Sequence, residues 1–425
     1  MTSPVPSSEP AARAVSPHTL LRDGKYFRLW SSGVAANTMR WLEMLAVAIY
    51  VFDKTSSPSM VAFVLFCRQA PMMLFGVAIG TVAEKTDKKR LLLAGLVTVT
   101  VVSLTLGILL VTGRAEIWHI ALGAFISGVL MAMDFPVRRN MLGESCGMDR
   151  VGAGMALDAT TNNITRMLGP IFGGLVLETV GLYGAFFLGA ALHGVALALV
   201  FGLKYEQPRR ASDGIEKPKT GFFADIIESI RYIRGQPVIM ATLVITIVLN
   251  MLAMPFNSMV PVIGKVELQI NAILIGFLAS AEGLGAFLGC IAIAYMRTQR
   301  FTQVFLFGAT IFLAFLLLFS FSTWFWLSWV LLFLAGLGHS GFSVGQSTLI
   351  YSRPDPEIRG RVMGLLSMCI GMQPLGVLHI GFLADYFGGS MAVTIITVEG
   401  LIALGACWLL WPAMRRNEAK PAAKT

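Results

Sequence analysis

Runs of about twenty mostly apolar residues recur along this chain, and no other feature limits its possible folds more. A helix needs roughly 20 such residues to cross the hydrocarbon core of a bilayer. Reading for these runs between polar or Gly/Pro clusters gives spans at 28–52, 59–82, 91–112, 117–139, 151–178 and 181–203. After a polar interval come 238–263, 271–296, 301–321, 324–350, 359–385 and 390–412. Only 13% of the 425 residues are charged and the mean hydropathy is +0.72, whereas soluble domains run near a quarter charged, so a water-facing surface for the whole chain is excluded. The expected fold is an all-α membrane protein with twelve transmembrane helices in two pseudo-symmetric six-helix bundles, 28–203 and 238–412. Residues 1–27 and 413–425 read as tails, and 204–237 as a linker whose stretch from Phe222 to Ile233 has the pattern of a helix lying on the membrane surface.

Positive charge sets the sidedness. Of 33 Lys and Arg, only Lys54, Arg114 and Lys265 fall in the loops opposite the termini, and Arg40, Arg68 and Arg166 fall within spans. The remaining 27 lie on the terminal side or at its edge, so both termini are expected in the cytoplasm and the protein in the plasma (inner) membrane. The net charge of +9 then records topology and contact with anionic lipid, with no nucleic-acid partner needed. Five scattered cysteines with no C-x-x-C pair suggest no metal site and no disulfide framework. The first ~25 residues, rich in Pro, Ser and Ala, have no apolar core and predict no cleaved signal peptide.

The two halves also resemble each other. "GPIFGGLVLETVG" (169–181) aligns with "GVLHIGFLADYFG" (376–388) at a constant offset of 207, pairing Gly169 with Gly376, Gly174 with Gly381, Glu178 with Asp385 and Gly181 with Gly388.

Two motifs carry a family likeness. "GTVAEKTDKKR" (80–90) joins the second and third spans, and "GPIFGG" (169–174) lies in the fifth. On these the chain resembles the major facilitator superfamily over almost its whole length. Gly80, Glu84, Lys85, Lys88 and Lys89 fit that family's cytoplasmic signature, with Asp87 where a glycine is more usual and Glu84 in place of the commoner aspartate. The resemblance implies that this loop stabilises one of two alternating conformations. Gly169, Pro170, Gly173 and Gly174 match the end of a signature associated with exporting antiporters, although Thr165 stands where a glycine is expected. Physically, the proline bends a helix and the glycines permit close helix approach. The strings "FRLW" (27–30), "RQAPMMLFG" (68–76), "FPVRRNML" (135–142), "NNITRMLGP" (162–170) and "RPDPEIRGRVMGL" (353–365) are similar to the drug and siderophore exporter branch, including macrolide-efflux and enterobactin-exporter types. That branch implies proton-driven efflux of an organic compound.

Charges inside spans are expensive and normally face a bundle interior or an aqueous cavity. Arg40 and Glu43 share one helix face with Asn37, and the resemblance implies that this first helix lines a central cavity. Counted from the outer helix ends, Arg40, Glu43, Arg68 and Arg166 fall within about 5 Å of one another in depth. Glu43 is therefore able to pair with Arg40, Arg68 or both, and its protonation would break that pair. Asp158, Asn162 and Arg166 make a second polar stripe at i, i+4, i+8, while Asp134 precedes Arg138 by four; Asp134–Arg138 and Arg166 read at least equally well as structural ion pairs. In the other half Glu282 and Glu399 lie near the midplane, and Asn250 and Asn257 share a face. The proton-coupling candidates are thus Glu43, Glu282 and Glu399. The substrate-binding candidates are Arg40, Arg68, Asn162, Arg166, Asn250 and Asn257. His339 and His379 read as satisfied core histidines, and "FSTWFWLSW" (321–329) as an interfacial aromatic belt.

The function expected is secondary transport, a proton-coupled export of a small organic compound, with three buried arginines favouring a siderophore-like anion. Uptake, movement of a lipid-like molecule and a non-transporting sensor stay open. No P-loop, zinc-ligand spacing or nucleophile elbow is present, so neither an enzyme nor a cofactor is expected. The sequence leaves the oligomeric state open.

Overall fold

A computed structural model describes residues 20–146, 150–205, 231–296, 300–355 and 358–414, apart from the side chains of 76–85, 135, 152, 156 and 360. Fourteen α-helices lie wholly within these residues. In chain order they are α1 (Gly24–Thr55), α2 (Pro58–Lys85), α3 (Lys88–Val111), α4 (Ile117–Cys146), α5 (Val151–Thr179), α6 (Leu182–Phe201) and α7 (Pro237–Leu252). They continue as α8 (Phe256–Val266), α9 (Ala272–Tyr295), α10 (Phe301–Ser320), α11 (Phe325–Ser352), α12 (Arg359–Ile370), α13 (Gln373–Phe387) and α14 (Gly389–Leu410). The surface helix expected from Phe222 falls, except for its last few residues, outside the described residues.

Ten stretches are long and apolar enough to cross a membrane. Two of them, Pro237–Val266 and Arg361–Phe387, each run over a pair of helices. The continuous spans expected at 238–263 and 359–385 are therefore corrected to broken ones. Pro255 begins α8 and Pro374 opens α13, and each removes a backbone donor just where the preceding helix stops. The other two long helices, α1 and α5, are not among the ten. These are the helices that carry the Asn37–Arg40–Glu43 and Asp158–Asn162–Arg166 stripes, so the polar residues lower the apolarity that a spanning helix usually shows.

The helices pack in two groups. Buried apolar side chains of α1–α6 form two clusters, one around Met39, Leu65 and Ala185 that also takes in Val377 of α13, and one around Tyr26, Leu96 and Val200. Those of α7–α14 form a separate cluster around Phe256, Phe312 and Ile396. A small cluster of Leu45, Ile49, Ala272 and Ile275 joins the groups at the end away from the termini, called here the distal end. There Lys265 Nζ donates to Asp53 Oδ2 at 3.0 Å, and Gly174 lies so close to the Ala272 carbonyl that a Cβ would collide with it.

At the near end the basic cluster ties helix termini together. Asp87, the departure from the family pattern, caps α3 by accepting from Arg90 N at 3.0 Å. Lys89 Nζ donates to Phe201 O at 3.1 Å and Leu203 O at 2.7 Å, placing a cation on the carbonyl end of α6. Lys88 and the Tyr205 hydroxyl both reach the Glu144 carboxylate, and burial together with that carboxylate raises the Tyr205 phenol above its ordinary pKa. Gly80, Glu84 and Lys85 lie on the helical end of α2, where side chains are not described.

Candidate functional site

Between the two helix groups lies an open cavity of about 1020 Å³. From the first group it is lined by Arg40, Trp41, Arg68 and Arg166, and from the second by Asn250, Asn257, His339 and Gln346. Five of the six expected substrate-binding residues thus meet at one cavity. The sixth, Asn162, does not line it; its side-chain oxygen is buried with no hydrogen-bond partner.

The arginines differ in their company. Arg68 Nη1 donates to Glu43 Oε2 at 3.1 Å, and both side chains are nearly buried. Arg166 Nη2 donates to Glu282 Oε2 at 2.7 Å, crossing from α5 to α9. Arg40 has no carboxylate within ion-pair distance among the described residues, and its guanidinium sits 5.0 Å from the centre of the Trp41 ring. The Arg166 guanidinium lies 5.6 Å from the same ring. Trp41 therefore sits under two cations at the wall of the cavity.

Glu43 does not face this cavity. With Asn37 it lines a second chamber of about 680 Å³ inside the first group, among α1, α2, α3, α4 and α6. The expectation that the whole α1 stripe opens on the central cavity is corrected on this point. Arg40, Arg68 and Met131 line both spaces and form the wall between them. The reason is geometric: residues three apart on a helix point about 60° apart, enough for Arg40 to reach both spaces while Glu43 reaches only the second.

His339, read from the sequence as a satisfied core histidine with no visible partner cluster, is buried and partnered. Its Nδ1 lies 2.5 Å from Glu282 Oε1 and 3.4 Å from Arg166 Nη2, so one carboxylate is shared by an arginine of α5 and a histidine of α11. No spacing signal links residues 166, 282 and 339; only the packing of α5 and α11 on α9 brings them together. Glu399 lies elsewhere, with its Oε2 3.1 Å from His379 Nε2 and both side chains partly exposed. Asp134 pairs with Arg138 on α4, and Asp158 lies 3.8 Å from Arg139. His193 of α6, not singled out in the sequence, is buried in the second chamber.

The glycines of "GPIFGG" make the close contacts that their spacing suggested. A Cβ on Gly169 would come within 2.5 Å of Trp41 Cβ, and one on Gly173 within 2.6 Å of Leu42 O, both on α1. The Pro170 carbonyl in turn lies 2.5 Å from where a Cβ on Gly276 of α9 would stand. This motif thus lets α5 pack backbone to backbone against α1 on one side and α9 on the other.

A bundle of membrane-length helices enclosing a charged cavity between two helix groups defines an integral membrane transporter. Comparison with known proteins gives the family. The model of the Major Facilitator Superfamily matches residues 29–372 and, overlapping, 267–425, and the chain belongs to this family of non-enzymatic carriers. It is 21% identical to the Staphyloferrin A transporter of Staphylococcus aureus (strain NCTC 8325 / PS 47), over 86% of this chain and 90% of that one. It is 20% identical to Macrolide efflux protein A of Streptococcus pyogenes, with the same coverage. Among solved structures, a bacterial homolog to the human lysosomal transporter Spinster, inward-facing and unoccupied, superposes with a TM-score of 0.74 at 15% identity, covering 94% of this chain and 100% of that one.

Proposed function

We propose that this carrier exports an organic anion across the inner membrane in exchange for protons, by alternating access. The chain crosses the membrane twelve times in two pseudo-symmetric six-helix halves, α7–α8 and α12–α13 each counting as one crossing, with both termini cytoplasmic. In this reading the distal contacts close one side and the cavity opens toward the cytoplasm. The observation that carries the substrate class is Arg40, a cavity arginine with no carboxylate partner among the described residues, beside two more whose partners are Glu43 and Glu282. A carboxylate-bearing ligand would complete Arg40 and compete for Arg68 and Arg166. Glu43 is the proton site: protonated, it releases Arg68 to the ligand, and ionised, it reclaims it. Efflux relatives and the "GPIFGG" motif support the outward direction.

The test is flux in proteoliposomes under an imposed pH gradient. Staphyloferrin A, named for one relative, serves as the siderophore probe and erythromycin as the macrolide. Gradient-driven movement of the siderophore that Glu43→Gln abolishes supports the reading. Transport of the macrolide alone would replace the anion by a lipophilic substrate, and full gradient-driven transport by Glu43→Gln would remove Glu43 from the coupling.

A further inference from the structure

We propose that protons and substrate use separate compartments of this protein, and that His193 relays the proton between Glu43 and Asp134 inside the first helix group. The proposal rests on Glu43 being the proton site, as argued above.

The second chamber is the compartment in question. Glu43 lines it and does not line the cavity between the groups, so a substrate in that cavity meets Arg40 and Arg68 before it meets the carboxylate. A proton bound at Glu43 then needs a route that avoids the substrate. The imidazole that lines the chamber is His193, which is buried, with 6% of its surface exposed.

Depth orders the groups. Counted from the distal ends of their helices, Glu43 and His193 lie about 18 Å and about 17 Å in, and Asp134 about 26 Å, on the way to the near end. A Cβ on Gly189, one turn before His193 on α6, would stand 3.2 Å from Glu43 Oε1, so α6 presses its small residue against the carboxylate. The charges facing the ring are Glu43 and Arg40 from α1, Arg68 from α2, and Asp134 and Arg138 from α4; α3 contributes no titratable group. Histidine suits the position because its two ring nitrogens let one proton arrive as another leaves.

The step balances as follows. Protonated Glu43 gives its proton to one ring nitrogen, leaving a carboxylate and an imidazolium. The imidazolium gives the proton on its other nitrogen to the Asp134 carboxylate, and the ring is neutral again. Glu43, ionised, then holds Arg68.

Time-resolved infrared spectroscopy after a pH jump, on the full-length protein in nanodiscs, tests the relay without any substrate. The carboxylic-acid band absent from Glu43→Gln reports the proton on Glu43. In His193→Gln this band should reach the same final amplitude but change on the order of 100-fold more slowly. In wild-type protein with isotope-labelled histidine, a transient imidazolium band should move with the same time constant, a readout that needs no substitution. An unchanged rate in His193→Gln, or a silent ring, overturns the relay and leaves Glu43 as the proton site. Absence of any Glu43-dependent band overturns both readings.

Discussion

Glu178 and Asp385, 207 positions apart, each accept a backbone N–H at the start of a helix in the opposite group: Glu178 Oε2 from Ala272 N of α9 at 3.1 Å, and Asp385 Oδ1 from Ser59 N of α2 at 3.0 Å. A carboxylate at a helix N-terminus satisfies an orphan donor and meets the positive end of the helix dipole. These two clamps stand at the distal crossings α5–α9 and α13–α2. Each should contribute about 1 kcal/mol to distal closure, as an N-cap does. Glu178→Ala and Asp385→Ala are accordingly expected to shift the closed population by a similar factor, roughly fivefold each, and the double variant by their product. Spin-label distances across the distal end, measured in nanodiscs, check this. A strong effect at one site and none at the other would mean that the two crossings are not equivalent.

The glycine four residues before each carboxylate supplies the second prediction. Gly174 packs on the backbone of Ala272, and Gly381 on Ala62 and Ser59, so neither has room for a side chain. Gly174→Ala must push α5 away from α9 at a cost of about 1–3 kcal/mol, the usual range for overpacking. Distal distances should lengthen and transport should fall, while membrane insertion stays normal because the added methyl is apolar. Normal transport with unchanged distances would contradict so tight a crossing.

The repeat shows how much of this was legible in the sequence and why. Four pairs at offset 207 were visible, and each has matching surroundings in the structure. Gly169 abuts α1 and Gly376 abuts α7; Gly174 abuts α9 and Gly381 abuts α2. Glu178 and Asp385 cap helices across the crossing, and Gly181 and Gly388, with φ of 93° and 83°, both turn the chain into the next helix. These roles are local to a backbone and leave a spacing signal. The Glu282–His339–Arg166 contact leaves none, because its members come from three helices far apart in sequence. That Arg40 reaches both compartments and Glu43 only one was equally illegible, since helical spacing gives an angle but not the position of a wall. His193 was hidden in an apolar span, where a lone histidine carries no pattern.

Glu282 bridges the two groups through Arg166 and is nearly buried, with 3% of its side chain exposed. Removing one partner of such a pair strands the other, at a cost of about 3–5 kcal/mol. In Glu282→Gln the Arg166 guanidinium loses the carboxylate that ties α5 to α9, and separation of the groups hydrates it further. The expected outcome is therefore a population shift toward distal opening of on the order of 100-fold, together with a lower Tm of the closed form. Distances that match the wild type would show that the pair does not hold the groups together.

The Glu43–Arg68 pair lies inside one group, so the same logic predicts a different result. Glu43→Gln should cost several kcal/mol of stability by leaving Arg68 buried without its counter-charge. The double variant Glu43→Gln/Arg68→Gln should recover much of that loss, while distal distances stay unchanged throughout. Thermal unfolding of the two single variants and the double closes the cycle. Additive losses would mean that the two side chains are not energetically coupled.

Arg40 gives the sharpest separation of binding from stability. It has no carboxylate partner among the described residues, so Arg40→Gln strands no counter-charge and should leave Tm unchanged or slightly raised. A hydrogen bond from a charged group to a ligand carboxylate is worth about 1.5–3 kcal/mol, so KM for an anionic siderophore should rise roughly 10- to 100-fold. A neutral substrate would feel no such loss, because the interaction removed is with the ligand's charge. Arg40→Lys should recover only part of the affinity, since an ammonium cannot offer the planar fork that matches a carboxylate. Flux measured for both substrate types, with unfolding followed on the same preparations, distinguishes this from a packing role. An Arg40→Gln protein that loses stability and transports both substrates equally poorly would make Arg40 a structural cation rather than the residue that selects for charge.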